Sequence, residues 1–215
     1  ARQAQRNADQ IQLLAVSKTK PVSLIKEAYF TGLRHFGENY VQESIKKIKE
    51  IKADHEIKDP IFWYFIGPLQ SNKTRDVAEN FDWVQSIERI KIAQRLNDQR
   101  PHDLAQLNIC LQVNISGEAS KSGTTLSQVI ELASQISDLP RLKLRGIMAI
   151  AEKTENTQRL EKQFNELHNI YKKLQTLYPE VDTLSMGMSG DLQSAIKCGS
   201  TMVRIGTDIF GTREK

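Results

Sequence analysis

The sequence predicts an α/β protein built as one closed (β/α)8 barrel of the TIM type, and three observations carry that expectation. Short apolar runs rich in branched residues alternate with longer stretches of helical periodicity, which is the mark of a parallel α/β fold. Eight such units fit in the 215 residues with no Pro/Gly/Ser-rich linker between them, so residues 1–215 are expected to form a single domain. The first apolar run leads into Ser17-Lys18-Thr19-Lys20-Pro21, without the glycine-rich turn that a doubly wound nucleotide-binding sheet places there. The barrel is compact, since about 250 residues is typical of the fold.

Strands are expected at 12–17, 34–36, 62–66, 83–86, 108–114, 143–150, 183–185 and 202–205. Between them lie helical stretches near 22–31, 40–51, 72–80, 89–98, 126–137, 156–178 and 190–197, with a weaker one after Phe210. Pro21 opens the first helix where a missing N–H is tolerated, and Gly32 stops it. In the second, Ile45, Ile48 and Ile51 keep helical spacing, which leaves Lys46, Lys47, Lys49 and Lys52 as a solvated face. No aromatic residues interleave with these lysines as stacking surfaces for bases, so the net charge of +4 is not read as a nucleic-acid footprint. In the long sixth helix, Leu160, Phe164, Leu167, Tyr171, Leu174 and Leu177 are expected to make one buried stripe.

A composition of 39% hydrophobic and 26% charged residues supports a substantial core. The longest apolar runs, 13–16 and 147–151, fall far short of the roughly 20 residues a membrane span needs. The opening ARQAQRNADQ has neither the apolar region of a signal peptide nor an initiating Met, so a piece upstream is expected to be missing. With only Cys110 and Cys198, and with no CxxC or HxxxH spacing, neither a disulfide framework nor a zinc site is expected. A reducing, cytoplasmic setting fits this usage best.

In a (β/α)8 barrel the chemistry lies at the C-terminal ends of the strands. Lys18 stands there, after Leu13-Leu14-Ala15-Val16, with its amine directed to the barrel mouth. It is a candidate imine-forming lysine; a plainly solvated lysine is the alternative. Lys20, held extended by Pro21, is expected to point to the same side and to lower the Lys18 pKa. Two anion-friendly turns follow the seventh and eighth strands, Ser185-Met186-Gly187-Met188-Ser189-Gly190-Asp191 and Arg204-Ile205-Gly206-Thr207. These are the places where such barrels hold phosphate, although tight turns also need small residues. Gly206 and Gly211 have the spacing of a nucleoside-triphosphate loop, but Thr212 stands where its lysine belongs. His35, His55, His102 and His168 read as solvated, and Asp82, Asp182 and Asp191 as caps or turn residues.

Seven segments, AVSKTKP (15–21), FGENYVQE (36–43), FIGPLQSNK (65–73), SKSG (120–123), RLKLRGIMAI (141–150), LSMGMSGD (184–191) and GSTMVRIGTDIFGTR (199–213), together resemble the pyridoxal phosphate homeostasis protein family over nearly the whole chain. The resemblance implies a barrel like the N-terminal domain of alanine racemase, the fold-type III arrangement, with pyridoxal 5′-phosphate held as an imine on Lys18. It further implies that Ser185, Ser189, Gly206 and Thr207 cradle the phosphate, that Arg204 approaches the pyridine nitrogen, and that Asn39 and Tyr40 lie in the cofactor mouth. Members usually carry a helix before the first strand, which again suggests a trimmed start. Tyr64 departs from the family, where many relatives have histidine, and bears on the polarity of that wall.

An arginine partner leaves the pyridine nitrogen unprotonated and the ring a weak electron sink. Alanine racemases manage with such an arginine but add a second domain, for which the eight units leave no room. The resemblance therefore implies a protein that stores or delivers pyridoxal phosphate, with apo forms of pyridoxal-phosphate enzymes as partners; a monomer is expected over an oligomer, with no catalytic residue and no metal. A small amino-acid racemase on the same imine is the alternative. A cofactor-free Schiff-base aldolase acting through Lys18 is a third reading.

Overall fold

A computed structural model describes residues 1–116, 122–152 and 154–212. Ser120, Lys121 and Arg213, which belong to the segments quoted above, lie outside the described residues. Eight strands close into a barrel in chain order: β1 (Gln12–Val16), β2 (His35–Glu38), β3 (Phe62–Phe65), β4 (Trp83–Ile87), β5 (Leu107–Val113), β6 (Leu142–Ala149), β7 (Thr183–Ser185) and β8 (Met202–Ile205). Every neighbouring pair is parallel, and β8 returns to β1 through Gln12↔Met202, Leu13↔Val203, Leu14↔Arg204 and Ala15↔Ile205.

The crossovers carry α1 (Val22–Phe30), α2 (Val41–Ala53), α3 (Thr74–Asn80), α4 (Ile90–Gln99), α5 (Val129–Ser137), α6 (Thr157–Leu177) and α7 (Leu192–Lys197). Gly32, at φ +102°, ends α1 in the left-handed conformation that favours glycine. Asn156 caps α6 by accepting the Arg159 N–H at 2.9 Å. The weak last helix, α8 (Thr207–Phe210), ends at Phe210 instead of beginning after it. The Ile209 and Phe210 N–H groups reach back to the Gly206 carbonyl, so the turn forms immediately after β8.

Two apolar layers result. The outer one lies between strands and helices and takes up the α6 residues Leu160, Phe164, Leu167, Tyr171 and Leu174. Leu177, expected in the same stripe, is 55% exposed because α6 ends there, beyond the barrel wall it packs on. The inner layer fills the barrel with Leu14, Tyr64, Trp83, Cys110, Met148 and Met202, and Tyr64 stacks on Trp83 with centroids 5.0 Å apart.

Lys47 is not on the solvated face of α2. It is 7% exposed and points at the barrel wall, where a buried carboxylate supplies the partner that makes this burial tolerable. His35 is likewise half-buried, stacked on Phe62 with its Nδ1 3.0 Å from the Tyr64 hydroxyl, and burial lowers its pKa.

Gly146 leaves no room for a side chain against β7. A Cβ there would lie 1.7 Å from the Thr183 carbonyl oxygen, and φ is +155° beside a register shift between β5 and β6. Gly146→Ala should therefore cost at least about 3 kcal/mol of stability, measured by urea unfolding, or prevent folding.

Candidate functional site

Alternation along β1 decides what faces the mouth. Leu14 belongs to the inner layer, so Val16 and Lys18 continue its face, while Ala15 and Ser17 turn toward the helices. Because β1 pairs with β8, the end of β1 lies beside the end of β8: a Cβ on Gly206 would sit 3.3 Å from the Val16 carbonyl oxygen. Lys18, Gly206 and Thr207 thus share one rim, and the first N–H groups of α8 have no intrahelical acceptor there.

Arg204 lies inside the barrel at 4% exposure. Its Nη1 donates to the Ser185 carbonyl and hydroxyl oxygens, each at 2.8 Å, and its Nη2 donates to the Ala149 carbonyl at 2.8 Å. Among the described residues these bonds take three of the five guanidinium donors. Burial lowers the Arg204 pKa to about 10, which leaves it cationic at neutral pH.

The Ser185 hydroxyl is completely buried and donates to Gln85 Oε1 at 2.8 Å while accepting from Arg204. Its one proton is committed to Gln85, and its oxygen holds Arg204. Gln85 is held in turn through Nε2 on Met202 Sδ at 3.0 Å. No periodicity in the sequence marks Gln85, since its role depends on a residue a hundred positions away.

The other expected residues follow the C-terminal ends of β2, β7 and β8, with differing exposure. Ser189 and Thr207 are exposed and Gly206 is half-buried. In the turn after β7, Gly187 has φ +100° with a Cβ position 2.6 Å from Ala195, and Asp191 accepts the Met188 N–H. Asn39 is half-buried, its Oδ1 enclosed without a hydrogen-bond partner among the described residues, and Tyr40 is 52% exposed. Tyr64 sits at the opposite end, against His35 and Trp83 near the strand starts, so its replacement of histidine changes the barrel floor and not the mouth.

Lys20 does not follow the extended alternation. Thr19 takes φ +61°, the Lys20 N–H turns back to the Ser17 carbonyl at 3.0 Å, and the Lys20 amine donates to the Phe210 and Thr212 carbonyls at 2.9 Å each.

Behind the wall, Glu38 and Ser17 are fully buried. Glu38 Oε1 accepts the Ser17 hydroxyl at 2.6 Å and the Lys47 amine at 3.0 Å. Burial pushes the Glu38 carboxyl above its ordinary pKa, against the opposing pull of Lys47 and Ser17.

The geometry defines a (β/α)8 barrel with a lysine, a buried arginine and two anion-friendly turns at its C-terminal rim. The family model described as "Alanine racemase, N-terminal domain" matches residues 1–214. Relatives called pyridoxal phosphate homeostasis protein are 56% identical in Vibrio alginolyticus, over 97% of this chain and 89% of the relative, and 52% identical in Escherichia coli K12, over 97% and 88%. PipY of Synechococcus elongatus PCC7942, solved with PLP bound, superposes with a TM-score of 0.85 at 34% identity, covering 98% of this chain and 97% of that one. Alanine racemase of Clostridium difficile 630 shares the fold, with a TM-score of 0.79 at 13% identity over 97% of this chain and 54% of that one. The chain belongs to the alanine racemase N-terminal-domain family and, within it, to the pyridoxal phosphate homeostasis proteins.

Lys47→Met strands the Glu38 carboxylate and should destabilise the fold by about 3–5 kcal/mol at pH 8. Losing its cation drives the already raised Glu38 pKa further up, so the folded state then binds a proton the unfolded state does not. Stability is gained below that folded pKa and lost as pH rises through it. The deficit should shrink as pH falls toward 5, measured by urea unfolding across that range.

Proposed function

We propose that this chain binds pyridoxal 5′-phosphate at the C-terminal rim and that it stores and hands on the cofactor without turnover chemistry of its own. In this reading Lys18 is the attachment residue, Arg204 faces the pyridine nitrogen, and Ser189, Gly206 and Thr207 hold the phosphate. Ser185 acts on Arg204, while Asn39 and Tyr40 form the neighbouring wall. The group supplies an aldehyde with which a lysine amine condenses, an aromatic electron sink and a phosphate dianion.

The observation that carries the reading is the buried Arg204, held on Ser185 and Ala149 one barrel layer below the rim of Lys18 and Gly206. The residues present fit the group. Among the described residues Arg204 uses three of its five guanidinium donors, the enclosed Asn39 Oδ1 accepts no hydrogen bond, and the turn into α8 follows β8 directly on the rim shared with Lys18. The PLP-bound relative and the names of the curated relatives point the same way.

Arg204 also supports carriage over catalysis. A guanidinium that stays protonated has no proton to give up to the ring nitrogen and only donates a hydrogen bond, so the ring is a weak acceptor of electrons. The protein is proposed to act as a monomer in a reducing, cytoplasmic setting, where both described cysteines, Cys110 and Cys198, are free thiols. Apo forms of pyridoxal-phosphate enzymes are the proposed recipients.

Mixed with pyridoxal phosphate, the protein should gain a borohydride-reducible visible band. After reduction its mass should rise by one cofactor, on Lys18. Lys18→Ala should lose the band with unchanged circular dichroism; a label on Lys20 or Lys73 would refute the assignment. The loaded protein should restore activity to an unrelated apo-enzyme.

Pyridoxal without its phosphate should bind about a hundredfold more weakly or worse, as two charge-assisted hydrogen bonds of roughly 1.5 kcal/mol each imply. Competition titration of the two vitamers checks this. Equal affinities would remove the roles given to Ser189, Gly206 and Thr207.

A further inference from the structure

Thr19 is the one β-branched residue with a positive φ among the described residues, at +61°. A β-branched residue is a poor choice for that region, and such a conformation persists only where its surroundings over-determine it. The surroundings here are specific. The Thr19 N–H donates to Glu43 Oε1 at 2.6 Å, the same oxygen that lies 2.5 Å from the Lys47 amine. Lys47 also donates to the Ser17 carbonyl at 2.8 Å and to Glu38 Oε1 at 3.0 Å. Ser17 is held further by its hydroxyl on Glu38 and its N–H on the Gly37 carbonyl at 2.9 Å, while its carbonyl also accepts the Lys20 N–H at 3.0 Å. The residues on both sides of Lys18 are therefore tied by hydrogen bonds to β2 and to the helix side of the wall.

We propose that Glu43 is a positioning residue for Lys18: its carboxylate bridges the Thr19 N–H to Lys47, holds Thr19 left-handed, and so fixes the direction in which Lys18 leaves β1. This rests on the reading of Lys18 as the attachment residue. Glu43 does not touch the reacting atoms. It acts from the first turn of α2, and the buried Glu38 anchors Lys47, which anchors Glu43. The side chain of Glu43 is 31% exposed, so changing it removes the bridge without opening the core.

The test compares Glu43→Asp, Glu43→Gln and the double variant Glu43→Asp with Thr19→Asn. Two quantities are read: amide hydrogen exchange at residue 19 in the unloaded chain, and affinity for pyridoxal phosphate from the visible band. Aspartate retracts the carboxylate by one methylene. Exchange should accelerate about tenfold or more and affinity should fall about tenfold, as loss of one hydrogen bond implies. Glutamine keeps an oxygen that accepts from Thr19 and should stay within about threefold of wild type on both. Asparagine enters the left-handed region more readily than threonine, so Thr19→Asn should recover at least half of the lost affinity, on a logarithmic scale. A merely structural Glu43 would lower the melting temperature without this pattern of rescue. Unchanged exchange in Glu43→Asp, or an affinity that Thr19→Asn does not recover, overturns the proposal. If exchange depends on Glu43 but the wild type takes up no pyridoxal phosphate on Lys18, the functional reading falls, and the purpose assigned to Glu43 falls with it.

Discussion

The pairing of β1 with β8 is the constraint on which the site depends. It closes the barrel, and by placing Leu14 opposite Arg204 it sets Lys18 on the same rim as Gly206 and Thr207, although nearly 190 residues separate the ends in sequence. The inner layer then has to accommodate Arg204 as a charge below the mouth. It does so with oxygens from β6 and β7, the Ala149 carbonyl and both Ser185 oxygens. The polar axis of the barrel is thus built from strands that meet only on closure.

A second buried charge system lies on the other side of the same wall. Glu38 and Lys47 are taken out of water together, and such a pair contributes little net stability while its disruption is costly. Its consequence is geometric: it fixes the backbone on either side of Lys18 from the helix layer. The two systems divide the work. Arg204 and its oxygens set the electrostatics inside the mouth, and Glu38, Lys47 and Glu43 set the frame of the residue at its edge. In the proposed function a cationic arginine, and not a proton-donating carboxylic acid, faces the ring nitrogen, which favours holding the cofactor over carbanion chemistry.

The strand count, the element order and the placement of Lys18 at the end of β1 were legible because each depends on local pattern: apolar runs of strand length, helical spacing and the punctuation of Pro21 and Gly32. The closed topology was legible from the missing glycine turn after β1. What escaped were features created by tertiary contact. Lys47 read as solvated because three other lysines share its helix, and only the fold brings Glu38 to it. His35 read as solvated for want of its partner Tyr64, 29 residues on. Lys20 was expected to alternate with Lys18, but the turn at Thr19, invisible in a residue type that disfavours it, breaks the alternation. Ser185 matched a phosphate turn by its position, yet its hydroxyl is spent on Gln85 and Arg204.

The central claim, that the rim holds pyridoxal phosphate without activating an amino acid, is tested most directly by α-proton exchange. The loaded protein is incubated with single amino acids in deuterated water and followed by NMR. The expected result is exchange no faster than with the same concentration of free pyridoxal phosphate. Rapid, stereospecific exchange that disappears in Lys18→Ala would contradict the account and make a racemase-like enzyme the better description.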